Sequence, residues 1–392
     1  MGGLRVSVRA LGFVRIAILA RLLTPNEFGL FSIAMLTLSF LEILTESGIN
    51  VFFIQGEGKI KEYIDTAWII SIMRGILITL LIILFAKPIT IFFKNPDAYY
   101  LLLLVSMVSF IRGFINPAIV KLRKDLEFNK EFRLRFVVLI VETTVAIVLA
   151  FVTRSAVSLV WGLIAGVIVE VVISFALIKP KPKLKYEVKK ASKIVKRGKW
   201  ITLAGIFSYL FREGDDIVVG RLLGTDALGV YRVGYKISTL PITEVSEVVR
   251  RVTFPVYSKI ASDKLRLKRA FVKSITAVSL VSIPFGLFLY LFAYPFVMIV
   301  LGSNWLEAVP VIKVLALFGV VRAITTMTYP LFLSVKKQEY VMKITLVGIL
   351  GLGLTIYPMV IRYGLVGAGY SSLIGAIFTI PMVFYYVRKV FR

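Results

Sequence analysis

Apolar positions in this chain come in runs of about 20 residues separated by short polar or basic turns, rather than in the one-faced alternation of a surface helix or strand. Runs of that length cross hydrocarbon as helices, because a helix satisfies its backbone polar groups within itself. Twelve are present, centred at about residues 13, 42, 75, 108, 142, 167, 209, 241, 286, 321, 350 and 377. Six precede a basic stretch over residues 179–199 and six follow it. The pattern predicts an all-α, polytopic membrane protein of twelve transmembrane helices: a six-helix lobe over 1–178, a basic linker over 179–199, and a second six-helix lobe over 200–392.

Composition supports a membrane protein, with 58% hydrophobic residues. Lysine and arginine number 48 against 22 acidic residues, a formal net charge of +26. In a soluble chain that excess would suggest nucleic acid. Here it clusters in alternate loops, among them "KLRKDLEFNKEFRLR", "KPKPKLKYEVKKASKIVKRGK" and "SKIASDKLRLKRAFVK". The positive-inside rule then places those loops and both termini in the cytoplasm and the protein in the cell membrane, with membrane lipids as partners and no nucleic acid. There is no cysteine or histidine, which excludes disulfides, thiolate metal sites, Cys/His nucleophile systems and histidine switches. No metal or cofactor is expected. The first apolar run carries arginines and lacks a small-residue cleavage site, so it is read as a retained helix.

The two halves repeat. "ARLLTPNEFGLFSIA" (20–34) and "GRLLGTDALGVYRVG" (220–234) align without a gap at an offset of 200, pairing Arg21 with Arg221 and Gly29 with Gly229. Six spans per half give both halves the same direction, hence a parallel pseudo-two-fold repeat about the membrane normal.

Polar residues inside the spans gather on faces. At about 100° per residue, the second helix places Ser39, Glu42, Glu46 and Asn50 within about 80°. Its counterpart places Arg232, Lys236, Thr239, Thr243, Ser246, Glu247 and Arg250 within about 100°. The first helix of the second half adds Ser208, Arg212, Asp215 and Asp216. Charges of this kind are costly against lipid, so the stripes are expected to outline a wet cavity between the halves.

Arginine also stands inside the first helix. Arg21 and Arg221 sit at helix ends and are expected to snorkel or cap the helix end. Arg9 and Arg15 lie deeper, Arg15 at about 18 Å from the inner end, and require partners. Two readings stay open: internal pairing with Glu42, Glu46 or Asp215, or a phosphate site that uses the planar guanidinium donors. Asp215, Asp216 and Glu42 are candidates for gating or ion coupling, with a salt bridge from Arg212 or Arg15 to the aspartates as the simpler account.

The run "SVRALGFVRIAILARLLTPNEFGLFSIAMLTLSFLEILTESGINVFFIQ" resembles the opening of the oligosaccharide-lipid and polysaccharide flippases of the multidrug/oligosaccharidyl-lipid/polysaccharide exporter superfamily. "ARLLTPNEFGL" is close to the first turn of the polysaccharide branch, and "RALGFVR" is similar to the first helix of lipid II flippases. The resemblance implies an O-antigen-type flippase that exports a polyprenyl-diphosphate-linked oligosaccharide by alternating access through a cationic cavity. The carrier would be undecaprenyl or dolichyl, and the protein a monomer working beside glycan assembly enzymes. By that similarity Arg9 and Arg15 match cavity arginines that meet the diphosphate. On the polar stripes, Arg232 and Lys236 are expected to join them, while Ser39, Glu46, Asn50, Ser208, Arg212, Thr239, Thr243 and Arg250 are expected to line the polar cavity for the glycan. The chain departs from the family in starting almost at its first helix, and from lipid II flippases in having no spans beyond twelve.

Two other functions fit the sequence less well. A cation-coupled multidrug exporter of the same fold should have an acidic, aromatic lumen, whereas the first helix is arginine-rich without a carboxylate. A membrane glycosyltransferase or polymerase is suggested only by "REGDD" (212–216), which lies inside a predicted span with no large loop nearby to complete an active site.

Overall fold

The computed structural model describes residues 2–55 and 60–392, except for the side chains of residues 2–10, 51, 54, 55, 195–204, 207, 211, 240, 241, 243, 244 and 251. Regular structure among the described residues is entirely helical. The order is α1 (Gly2–Leu22), α2 (Pro25–Leu44), α3 (Ile49–Gln55), α4 (Ile60–Phe92), α5 (Ala98–Arg112), a 3-10 turn (Pro117–Val120), α6 (Lys121–Lys124), α7 (Phe128–Thr153), α8 (Val157–Leu177) and α9 (Val188–Leu223). Then come α10 (Thr225–Ile260), α11 (Lys264–Leu291), α12 (Ala293–Val300), a 3-10 turn (Ser303–Trp305), α13 (Ala308–Thr326), α14 (Thr328–Ser334) and α15 (Gln338–Phe391).

Seven of these helical segments are long and apolar enough to cross a membrane, and an eighth span forms if α5 and the Pro117–Lys124 segment, bent by 76° from it, count as one. The protein is therefore an all-α, multi-pass membrane protein. Helices α1, α9 and α10 fall outside that group because they carry the charges discussed above. Helix α15, at 54 residues, would reach about 80 Å at 1.5 Å per residue, more than twice the hydrocarbon thickness. It is broken at Gly364, whose φ of 58° lies where a side chain would be strained.

The chain separates into two compact units, residues 1–217 with 224–229, and residues 218–223 with 230–392. In the first, α7 packs on α8 and α1, and α5 on α4, α8 and α2. Asn116, fully buried after α5, ties this bend to the end of α8. Its amide donates to the carbonyls of Ser174, Ile178 and Pro180, and its Oδ1 accepts from Ala118 N–H at 3.0 Å. Carbonyls at a helix end have no intrahelical donor, so Asn116→Ala is expected to destabilise the protein by about 2 kcal/mol or more, read as a lower Tm in detergent. The basic stretch before α9 is also pinned: Lys183 N–H donates to Asp65 and Glu187 N–H to Thr66. A hydrogen bond from Lys190, with help from Lys185, holds the Glu187 carboxyl below its usual range.

The repeat-related turns meet within this unit. Thr24 caps α2, with Pro25 in its first turn. A Cβ on Gly29 would fall 1.8 Å from the Thr225 carbonyl oxygen, and one on Gly229 would fall 1.9 Å from the Pro25 carbonyl oxygen. Each helix start thus rests its backbone on the glycine of the other. Asn26 and Asn95 both hydrogen-bond the Thr225 hydroxyl.

The repeat does not extend as the sequence suggested. Helix α2 stops at Leu44, and Gly48, with φ 72°, redirects the chain into α3. Glu46 therefore lies in the connection and Asn50 on α3, so Ser39, Glu42, Glu46 and Asn50 do not form one helical stripe. At the offset of 200, Glu46 and Asn50 correspond to Ser246 and Arg250, which both lie on α10, a helix that continues to Ile260.

In the second unit, α11 and α15 pack on α13, and α14 packs on α15. One end of the unit is held by an aromatic cluster: Tyr257, Phe271, Phe332, Tyr340 and Tyr386 are buried together, with Tyr340 stacked on Tyr386 at 4.1 Å.

Candidate functional site

Charged residues within predicted spans mark the candidate site region. In α1, Arg15 lies thirteen residues after Gly2, about 20 Å along the helix. Its Nη1 is 2.5 Å from Glu142 Oε1 on α7, with both side chains less than one-fifth exposed. Leu19 of α1 and Leu23 just beyond its end pack with Ala146 and Ala150 of α7 and set this register. The expected partners Glu42, Glu46 and Asp215 are thus replaced by Glu142, a residue that sequence reasoning did not single out.

A second cluster closes the end of α2. The last carbonyls of a helix are orphaned and its C-terminus carries partial negative charge, which draws cations. Arg74 of α4 donates to the Glu42 carbonyl, to Thr45 Oγ1 at 3.2 Å and to Glu46 Oε2 at 3.2 Å. Arg112 of α5 pairs with the Glu42 carboxylate. Glu46 also accepts the Gly48 N–H at 3.2 Å, fixing the turn that ends α2. Glu42 and Glu46 are therefore engaged by Arg74 and Arg112, neither of which was a candidate from sequence. Ser39 is half-buried and Asn50 exposed.

On α9, Ser208 and Arg212 are exposed while Asp215 and Asp216 are buried, with Asp216 N–H donating to Asp215 Oδ1 at 3.1 Å. The side chains of Arg9 and Thr243 lie outside the described residues.

In the second unit, α10 presents Arg232, half-buried, and Lys236, exposed. Thr239 and Ser246 donate to the carbonyls of Tyr235 and Ile242 one turn back, and Arg250 pairs with Glu247. Between Arg232 and Thr239 on the chain, Tyr235 accepts a hydrogen bond from Arg322 of α13. The Arg322 guanidinium also lies 5.6 Å from the centre of the Phe318 ring. No carboxylate among the described residues lies within ion-pair distance of Arg322. Where Arg15, Arg74 and Arg112 are each met by a carboxylate, Arg322 is held by the neutral Tyr235 and Phe318. Its position at the centre of the span predicted near residue 321 was the signal for it.

The family described as "Polysaccharide biosynthesis protein" matches residues 18–310 of this chain. The lipopolysaccharide biosynthesis protein WzxC of Escherichia coli is 24% identical over 81% of this chain, which spans 65% of that protein's length. The probable low-salt glycan biosynthesis flippase Agl15 of Haloferax volcanii is 22% identical over 92% of this chain and 76% of its own. Among solved structures, the lipid II flippase MurJ in an inward closed conformation superposes with a TM-score of 0.80 at 15% identity, covering 100% of this chain and 88% of that one. Its fold is therefore that of this chain.

Proposed function

Because this chain belongs to the polysaccharide biosynthesis protein family, we propose that it is a flippase carrying a polyprenyl-diphosphate-linked oligosaccharide across the cell membrane. A diphosphate cannot enter hydrocarbon unaided, since each charge there is costly. The carrier must offer it buried cations in exchange for water. Arg322, held beside α10 by Tyr235 and Phe318 without a carboxylate, is the observation that carries this reading. Arg232 and Lys236 lie on α10 on either side of Tyr235 in sequence, and Arg9 and Arg15 complete the proposed cationic path. In this scheme Ser39, Glu46, Asn50, Ser208, Arg212, Thr239, Thr243 and Arg250 serve the glycan, and Asp215, Asp216 and Glu42 serve gating or ion coupling.

Twelve crossings follow if α1, α9 and α10 span despite their charges, α5 counts with its bent continuation, and α15 crosses twice about Gly364. The basic loops and both termini then face the cytoplasm. Alternating access between lobes 1–178 and 200–392, joined by the 179–199 linker, would expose the head group to each side in turn while the polyprenyl tail stays in lipid. A polyprenol of the undecaprenyl or dolichyl type fits this scheme equally, and the protein would act as a monomer beside glycan assembly enzymes.

The test is flipping of a fluorescent polyprenyl-diphosphate oligosaccharide in proteoliposomes, followed by quenching from outside. Arg322→Ala is expected to slow flipping by about tenfold or more, with partial recovery in Arg322→Lys, because a point charge keeps attraction but loses the bidentate fork. Wild-type flipping by Arg322→Ala, or no flipping by the wild-type protein, would overturn the reading.

A further inference from the structure

The start of α11 carries charge that the proposed transport path does not use. Leu265, Lys268, Arg269, Val272 and Lys273 line a shallow groove of about 500 Å³. All five side chains are exposed. At about 100° per residue they share an arc of about 140° with Leu280, Ile283, Leu287 and Leu291. Those four leucine and isoleucine side chains are themselves exposed, at 49–70%. The opposite face is buried through Leu267, Phe271, Val278, Ser282 and Leu289. In a membrane helix, a continuous exposed apolar face is the one that meets lipid. Lys268, Arg269 and Lys273 therefore lie at the head of a lipid-facing strip.

None of the three has an ion-pair partner among the described residues. Another basic cluster at a helix start behaves differently: Lys121 is near Asp125, Arg123 and Arg135 share Glu131, and Lys130 meets Glu127. The start of α11 is also capped by a carboxylate, since Asp263 accepts the Arg266 N–H at 2.9 Å, so an anion there would be met by side chains. Leu267 and Phe271 anchor this segment in the aromatic cluster with Tyr257, Phe332 and Tyr340. The cations thus stand on a fixed platform.

We propose that this face binds an anionic phospholipid of the bilayer. Its phosphate would sit among Lys268, Arg269 and Lys273, and its acyl chains along Leu265, Val272 and the leucine strip below. Charge complementarity selects the head group, because three unpaired cations at the interface attract anionic over zwitterionic lipid. The apolar strip selects a bilayer lipid over free phosphate.

Native mass spectrometry of delipidated protein titrated with phosphatidylglycerol or phosphatidylcholine tests this. Wild-type protein should bind phosphatidylglycerol more tightly than phosphatidylcholine. The triple variant Lys268→Gln, Arg269→Gln, Lys273→Gln should lose about tenfold or more in phosphatidylglycerol affinity, with phosphatidylcholine unchanged. Because all three side chains are exposed, folding should survive, and an unchanged Tm verifies it; if it falls, Arg269→Gln alone is used. The control Lys121→Gln, Lys124→Gln should bind as wild type. Equal affinity for the two lipids, loss of both in the variant, or wild-type affinity in a folded variant would overturn the proposal. So would a site filled by inorganic phosphate or a polyprenyl diphosphate that phosphatidylglycerol cannot displace. Flipping is not measured, so the outcome is independent of the transport reading.

Discussion

Arg15→Gln should lower the stability of the protein by about 3–5 kcal/mol, because it strands the Glu142 carboxylate in a poorly solvated place. The pair is short, at 2.5 Å, and both side chains are largely buried. Replacing both members, Arg15→Gln with Glu142→Gln, removes the stranded charge and should recover most of the lost stability, since a buried ion pair is often no better than a neutral substitute. Stability alone therefore does not reveal what Arg15 is for. Transport does. If Arg15 meets the diphosphate by exchanging Glu142 for phosphate oxygens, the restored double variant stays inactive, whereas Glu142→Gln alone keeps the guanidinium and retains flipping. The measurements are Tm in detergent and flipping per folded molecule in proteoliposomes. A stable double variant that flips at the wild-type rate would leave Arg15 with a purely structural role.

The sequence showed the depth of Arg15 but not its partner, and the reason is physical. Helical periodicity fixes which residues of one segment share a face, whereas the meeting of Arg15 with Glu142 depends on the register between α1 and α7, set by Leu19, Leu23, Ala146 and Ala150 far apart in the chain. The all-α membrane fold was legible because length and apolarity are properties of each segment separately. Extrapolating periodicity failed at Glu46 and Asn50, where Gly48 turns the chain and Glu46 is drawn to the turn it caps. Arg322 shows the converse: a lone arginine at the centre of a span can be found by inspection, but its neutral support by Tyr235 and Phe318 needs the packing of α10 against α13. The same holds for Arg74 and Arg112, whose place is fixed by the orphaned end of α2.

Gly29→Ala is expected to undo the contact between the starts of α2 and α10. The added carbon would fall 1.8 Å from the Thr225 carbonyl oxygen and 2.6 Å from its carbon, and the reciprocal change at Gly229 would meet the Pro25 carbonyl at 1.9 Å. Both obstacles are backbone, so no side chain can swing aside and the two helix starts must separate. Overpacking of this kind costs about 1–3 kcal/mol. A conformer in which the starts are apart pays none of it, so a protein that samples both shifts toward the open one by about tenfold or more. The chain has no cysteine, which allows a direct readout: Asn26→Cys with Thr225→Cys, at positions whose side chains hydrogen-bond, should be joined by a short thiol cross-linker. Adding Gly29→Ala should reduce that joining and slow flipping together. Gly12→Ala is the control, because a Cβ there has nothing within 4 Å and should change neither. Full cross-linking with Gly29→Ala would mean that the helix starts tolerate the methyl and that the paired glycines are not what lets them close; reduced cross-linking with undiminished flipping would separate this contact from the transport cycle.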